Sequence, residues 1–434
     1  MARNTAENMV KNRIVLFLYG ISALYLSLIL IRYRAFEISD FLIFWDSGKS
    51  IIEGRSAYDL FYPGMPYLNG PLLSLMLAPI AKIPYRMAFD IWFILNVFLL
   101  GFVVKSIVQL LKISLSSKQM AVFVCLSVIS YPIRHNLGIG SVIVLVLALI
   151  LITRSNYKRK VSEWQSWLAA FSLVFAFELK PYLVIFFMFF LLIKRKLIFL
   201  AQSFSIVIAL NVFYLIALYN SSWFNWAQAI SNRSIGLSHD KTISSLYVLQ
   251  INLFRLPSWF SLATYLASIL FILLLSWRAV KFSSENYQIA ISIIIGPILS
   301  LYSHPQDFVM IVTFALTFLA INQSRGRDLL VSLSIFSLFL NLGGNAKVQS
   351  FVVTLCLILV IHFAELGFSK LQLGLIILVN LLMQNIASFL LNEYDQGTQV
   401  QFLNLMCLIS GYLCWWLILS NIKSMKNIHA TSNN

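Results

Sequence analysis

The sequence predicts an all-α polytopic membrane protein, on three observations. Of its 434 residues, 60% are hydrophobic and 11% charged, against roughly 45–50% apolar and about 25% charged in soluble domains. The mean hydropathy is +0.84. The apolar residues come in runs close to the ~20 that cross a bilayer as a helix. The net charge of +16 is then a question of membrane sidedness, not of nucleic acid. A soluble enzyme, a nucleic-acid binder, a disordered chain and a β-barrel are excluded.

The first apolar run, 14–31, follows a polar, basic N-terminus and precedes Arg32 and Arg34. Without small residues to mark a cleavage site, it reads as an uncleaved span. Further spans are expected at 86–110, 119–133, 138–153, 197–219, 259–277, 288–303, 308–321, 328–342, 348–366, 371–391 and 400–420. With the interrupted segment below they make about 12–14 helices. Residues 71–83 would reach only ~20 Å as a helix, so they read as interfacial or re-entrant. Residues 163–193 are apolar but interrupted by Glu178, Lys180 and Pro181, with basic clusters at both ends. If both ends are cytoplasmic, this segment enters and returns, with its break at Pro181.

The same parity puts loops 32–85 and 220–258 outside, with short outer turns at 131–138, 304–307, 343–347 and 392–399 and both termini inside. Most of the basic excess then faces the cytoplasmic leaflet. Cys125, Cys356, Cys407 and Cys414 all fall in apolar runs and read as buried thiols, with no metal pair. The chain reads as one integral membrane domain, 1–434, with a catalytic core over 1–325 and scaffold helices over 326–434. Both long loops are extracytoplasmic, and long loops in compact folds are usually functional.

In the first of these loops, apolar residues from Asp40 to Glu53 recur at helical spacing and Gly54 follows, so a short surface helix is expected. Asp40 and Asp46 are six residues apart and lie about 240° round such a helix, which makes a shared metal site a weak reading. From spacing alone Asp40 fits an N-cap. Ionisable groups at membrane depth are costly and functional by default. By that criterion the candidates are Arg134, His135, Glu178, Lys180, His304 and Asp307. His304 also fits a polar turn, Asp307 a cap, and Glu178 with Lys180 a locally neutralised pair. Trp45, Tyr58, Tyr67, Trp223, Trp226 and Trp259 fit an interfacial aromatic belt.

The run Asp40-x3-Phe44, Gly54-x3-Tyr58-Asp59, Asn69-Gly70-Pro71-Leu72, Ala78-Pro79 and Ile83-Pro84 resembles the family 87 glycosyltransferases. Leu137-Gly138, Lys180-Pro181, Asn232-Arg233-Ser234 and Ser303-His304 are similar to further features of that family, so the resemblance covers residues 36–310. Three features depart from it. Asn69-Gly70-Pro71 stands where the family has Tyr-Pro-Pro, Gly140-Ser141 stands where Gln or Asn types are common, and a single His stands where two are frequent.

The resemblance implies a GT-C fold with a juxtamembrane helix in the first outer loop. It also implies inverting transfer of a hexose, often mannose, from a polyprenyl-phosphate donor to a lipid or glycan acceptor outside the cytoplasm. Asp40 is the position matching the general base. Lys180, Arg134 and His304 suit the phosphate or donor, and His135, Asn232, Tyr58 and Asn69 complete the expected substrate contacts. A glycosyl phosphate carries its own leaving group, so one base and some cations suffice and no metal or other cofactor is expected. The expected partners are donor, acceptor and membrane lipids, without nucleic acid, and the expected location is a bacterial inner membrane with the active site facing outward. The competing reading is a transporter or a flippase for lipid-linked glycans.

Overall fold

The computed structural model describes residues 2–34, 39–60, 67–110, 116–156, 162–217, 222–234, 245–252, 254–281, 285–300, 304–309, 401, 405–416 and 418–419. The expected spans at 328–342, 348–366 and 371–391, and most of 308–321, lie outside them. The described residues are helical with no strand, as lipid demands, because only helices or closed barrels satisfy every backbone group there.

Among the described residues, four helices are long and apolar enough to cross a membrane: Asn12–Arg34 within α1 (Ala2–Arg34), α4 (Tyr85–Leu110), α10 (Leu197–Ala217), and Ser258–Trp277 within α13 (Ser258–Lys281). A fifth is counted if α5 (Ser117–Ile129) and α6 (Tyr131–Ile139), bent by 63°, make one span. The chain is an all-α polytopic membrane protein. The described contacts divide it into one compact unit of residues 29–103 and 136–240 and another of 1–28, 104–135 and 241–434.

In the first unit the described residues 39–60 and 67–84 after α1 pack on one another. The surface helix α2 runs Asp40–Ile52, ended by Glu53 and by Gly54 at φ +69°. It packs on α3 (Pro71–Leu77) through small residues. The Ser74 hydroxyl donates to Ser47 Oγ at 3.0 Å, and a Cβ on Gly48 would lie 2.8 Å from the Leu77 carbonyl carbon. The Trp45 indole donates to the Ile83 carbonyl at 3.2 Å. At seven residues, α3 is about 10 Å long and does not cross on its own.

Next come α7 (Ile143–Asn156), buried over most of its first eleven residues, and α8 (Glu163–Leu179), which packs on it and is opened by a Ser162–Gln165 capping box. The expected break is present. α8 stops at Leu179, Lys180 is extended at φ −150° and ψ 82°, and α9 (Pro181–Ile193) starts on the proline. Proline lacks the N–H that would continue α8 and excludes its predecessor from the helical region, yet suits a first helical position. The arms have 17 and 13 residues, about 25 Å and about 20 Å. α11 (Trp223–Ser234) lies in the second long loop.

The other unit holds α5, α12 (Leu246–Asn252), α13, α14 (Glu285–Leu299) and α15 (Leu405–Trp416). The Tyr265 hydroxyl donates to the Leu299 carbonyl at 2.5 Å, and the Trp415 indole to Ser276 Oγ at 2.8 Å. One expectation is corrected: residues 131–138 are not a turn. They form α6, whose Pro132 sits in the first turn, where a missing N–H costs nothing.

Candidate active site

At the head of α2 the capping residue is Ser39, not Asp40. Ser39 Oγ accepts the Leu42 N–H at 3.1 Å and pairs with the Tyr85 hydroxyl at 2.8 Å. Asp40 is therefore the first helical residue, half-buried, and the side-chain cap does not depend on it. Farther along α2, Asp46 is also half-buried. Burial raises its carboxyl above the usual range, opposed by Lys49 and Arg55.

The segment after α2 is organised by Glu178, which is fully buried at the end of α8. Its carboxylate accepts the Leu72 N–H at 2.9 Å, the Trp223 indole N–H at 2.9 Å and the Tyr214 hydroxyl at 3.1 Å. Its backbone carbonyl accepts the Gly70 N–H at 2.7 Å. A Cβ on Gly70 would lie 2.5 Å from the Glu178 Cβ, so only glycine allows this approach. The reading of Glu178 and Lys180 as a locally neutralised pair is thereby replaced. The acceptor-only carboxylate is satisfied by neutral donors from distant elements.

Tyr58 and Asn69 come together beside this knot. The Tyr58 hydroxyl donates to the Asn69 carbonyl at 3.1 Å, and the Tyr58 and Tyr67 rings are 5.5 Å apart. Burial pushes both phenols well above their ordinary range, so they stay protonated donors. Trp226 donates to the Leu68 carbonyl at 2.7 Å. Trp45, Trp223 and Trp226 thus work as hydrogen-bond donors inside the first unit rather than only as belt residues, while Phe224 and Trp259 remain 77% and 72% exposed.

Lys180, half-buried at the break, has its Nζ 5.5 Å from the Tyr182 ring centroid and no carboxylate partner among the described residues. Asn232 is exposed near the end of α11, nine residues from Trp223. That spacing is half a revolution on a helix, so Asn232 faces away from the Glu178 knot and does not join Tyr58 and Asn69.

The Leu137-Gly138-Ile139-Gly140 corner abuts residues flanking Asp40. A Cβ on Gly138 would meet the Tyr33 ring at 2.5 Å, and one on Gly140, at φ +69°, would meet the Phe41 Cβ at 2.5 Å. The Gly140 carbonyl accepts the Trp92 indole N–H at 2.8 Å. Beside it, Asn136 and Ser141 are fully buried, with side-chain polar atoms unpaired among the described residues. Asn136 did not stand out in the sequence, and Ser141 did so only as part of a departure from the family pattern.

In the other unit, Arg134 donates to the Tyr25 hydroxyl at 3.0 Å and its guanidinium lies 5.5 Å from the Tyr131 ring centroid. His135 stacks on Tyr131 at 5.2 Å and is within electrostatic reach of Arg134 and His304. The His304 N–H donates to the Asp307 carboxylate at 2.8 Å, at the start of a 3-10 turn, Pro305–Phe308. Arg134, His135 and His304 therefore gather within one unit.

The described residues make a helical membrane fold in which Lys180 stands at a break between two apolar helices and Glu178 ties that break to the segment after α2. The model of glycosyltransferase family 87 matches residues 67–303, and the chain belongs to that family. It is a membrane glycosyltransferase. The matched residues include Asn69, Arg134, His135, Lys180 and Asn232 and begin after Asp40 and Tyr58. No curated protein matches the chain, and no solved structure does.

Proposed function

We propose that this protein is an inverting, GT-C-type hexosyltransferase that moves a sugar, mannose as the first candidate, from a polyprenyl-phosphate donor. The acceptor is a lipid or glycan on the extracytoplasmic face, and Asp40 is the general base. Asp40 takes the proton of the acceptor hydroxyl as that oxygen attacks the anomeric carbon opposite the phosphate. The bond from that carbon to the phosphate oxygen breaks, and the polyprenyl phosphate leaves with the electron pair.

The observation that carries this reading is the head of α2, where the side-chain cap comes from Ser39 one residue before Asp40. The helix start therefore does not need the Asp40 carboxylate. Lys180 suits the departing phosphate, being a half-buried cation outside every described ion pair. Arg134, His135 and His304 are further donor contacts under the same reading. Because the donor brings its own leaving group, the reaction is metal-independent. Loss of activity in EDTA with recovery in Mg²⁺ or Mn²⁺ would count against that. Family membership favours transfer of a sugar over the transporter or flippase reading.

The test uses purified protein, radiolabelled polyprenyl-phosphate-mannose and a lipid acceptor extract, with the glucose and galactose donors in parallel. Transfer by wild type and its loss in a folded Asp40→Asn variant are expected. Equal transfer by both removes Asp40 from the mechanism.

A further inference from the structure

Glu178 and Lys180 flank Leu179, the last residue of α8. Glu178 is fully buried, yet it does not take this lysine as an ion partner. Neutral donors fill its carboxylate instead. The Leu72 N–H reaches Oε2 at 2.9 Å, and the Trp223 indole N–H and the Tyr214 hydroxyl reach Oε1 at 2.9 Å and 3.1 Å. The Lys180 ammonium is thereby left without a carboxylate among the described residues.

Stability alone does not account for a carboxylate here. It stands at the C-terminal end of α8, where the helix dipole disfavours an anion, and a well-packed apolar residue would avoid the cost of burying charge. What the carboxylate adds is a connection. Its residue holds Leu72 on the side chain and Gly70 on the backbone carbonyl, at 2.7 Å, and these two residues lead into α3. α3 passes the tie to α2 through the Ser74–Ser47 hydrogen bond at 3.0 Å and the close approach at Gly48. α2 begins at Asp40. A route of hydrogen bonds and tight contacts therefore runs from the residue two before Lys180 to the helix that carries Asp40, all within residues 29–103 and 136–240.

We propose that Glu178 is a positioning residue that fixes the Lys180 ammonium relative to the Asp40 carboxylate while leaving that ammonium free for a phosphate. This rests on the hexosyltransferase reading, in which Asp40 is the base and Lys180 meets the departing phosphate. A base and a cation serve one transfer only at a set separation, and a misplacement near 1 Å can cost about a hundred-fold in rate.

The experiment joins a distance to a rate in the full-length protein. Spin labels at Ile52→Cys on α2 and Ile185→Cys on α9, both exposed positions, report the separation by pulsed electron resonance once the four native cysteines are replaced. Single-turnover transfer from saturating polyprenyl-phosphate-sugar reports the rate. Glu178→Gln turns one acceptor oxygen into an N–H2 donor, which must face the Leu72 N–H or the Trp223 indole. The distance should shift or broaden, and the rate per folded protein should fall by about ten- to a hundred-fold. Adding Trp223→Phe removes the opposing donor, so the double variant should recover both the distance and most of the rate. In a Lys180→Gln background the Glu178→Gln change should cost little further.

An unchanged distance in Glu178→Gln overturns the proposal. So does a rate loss that Trp223→Phe deepens, or one that multiplies with the loss from Lys180→Gln, since either marks a merely structural residue. Should Glu178→Gln not fold, Gly70→Ala crowds the same carboxylate from the α3 side, and the same shift in distance and fall in rate are expected. A distance that responds as described, in a protein that transfers no sugar from any donor, would sink the hexosyltransferase reading and leave the tie between α2 and the break standing.

Discussion

The carboxylate of Glu178 accepts the backbone N–H of Leu72 at 2.9 Å across 106 residues of chain. It joins the break between α8 and α9 to the loop that follows α2. Gly70 makes that contact possible, since a Cβ there would lie 2.5 Å from the Glu178 Cβ and 2.6 Å from its Oε2. Gly70→Ala should therefore cost about 1–3 kcal/mol, the range for overpacking a tight site. Thermal unfolding in detergent reads this directly. Gly20→Ala and Gly101→Ala meet nothing within 4 Å and should be neutral or slightly stabilising.

Separate residues cap α2 and carry the proposed base, so their variants should fail differently. Asp40→Asn keeps the Ser39 cap and is expected to express and melt like wild type while losing transfer. Ser39→Ala loses the bond from Leu42 and the Tyr85 contact and should destabilise by about 0.5–2 kcal/mol, with activity falling only as far as folded protein is lost. An Asp40→Asn variant that melts far below wild type would make Asp40 structural.

Where the determinants are local, the sequence revealed them. Lys180-Pro181 ends one helix and starts another through the chemistry of a single ring, and the apolar spacing of α2 together with Gly54 marked that helix and its end. The Glu178 knot was hidden because its partners stand 36, 45 and 106 residues away and two of them, Tyr214 and Trp223, look like any other interfacial aromatics. α6 was missed because Pro132 and the polar run Arg134-His135-Asn136 have turn-like composition. The apolar residues that make it a helix number too few for a periodic signal.

The half-buried Asp46 offers a pH test. Burial raises its folded-state carboxyl above the ordinary 3.8, so the folded state holds the proton more tightly than the unfolded chain. The resulting stabilisation is fully present below the unfolded value and is lost as pH rises through the raised folded value. Asp46→Asn should flatten that acidic limb and melt no lower than wild type at pH 7. Melting temperatures measured from pH 3.5 to 7.5 follow it, and an unchanged limb would mean that Asp46 does not report its burial.

Lys180 is expected to matter for rate far more than for folding. It lies outside every described ion pair and is half-buried, so Lys180→Gln removes charge without stranding a carboxylate. If it meets the departing phosphate, the loss should resemble that of other charge-stabilising donors, about 2.7–4 kcal/mol of barrier or ~10²–10³ in kcat. Single-turnover transfer with saturating donor separates this from weakened binding, and a drop confined to donor KM would move Lys180 from the reaction to recognition.

The corner beside Asp40 can be tested through the pair Gly138 and Tyr33. A Cβ on Gly138 would meet three atoms of the Tyr33 ring at 2.5–2.6 Å, so Gly138→Ala should cost about 1–3 kcal/mol. The clash is with a side chain, so removing the ring should remove the cost. In the Tyr33→Ala background, the same Gly138→Ala change should be close to neutral, giving a coupling energy of about 1–3 kcal/mol in a double-mutant cycle. Gly140 provides the contrast. Its φ of +69° strains any side chain, and its forbidden contact is the Phe41 Cβ, which Phe41→Ala retains. Gly140→Ala should therefore stay destabilising in either background. Rescue of Gly140→Ala by Phe41→Ala would mean that crowding by the ring, and not backbone conformation, makes glycine necessary at this corner.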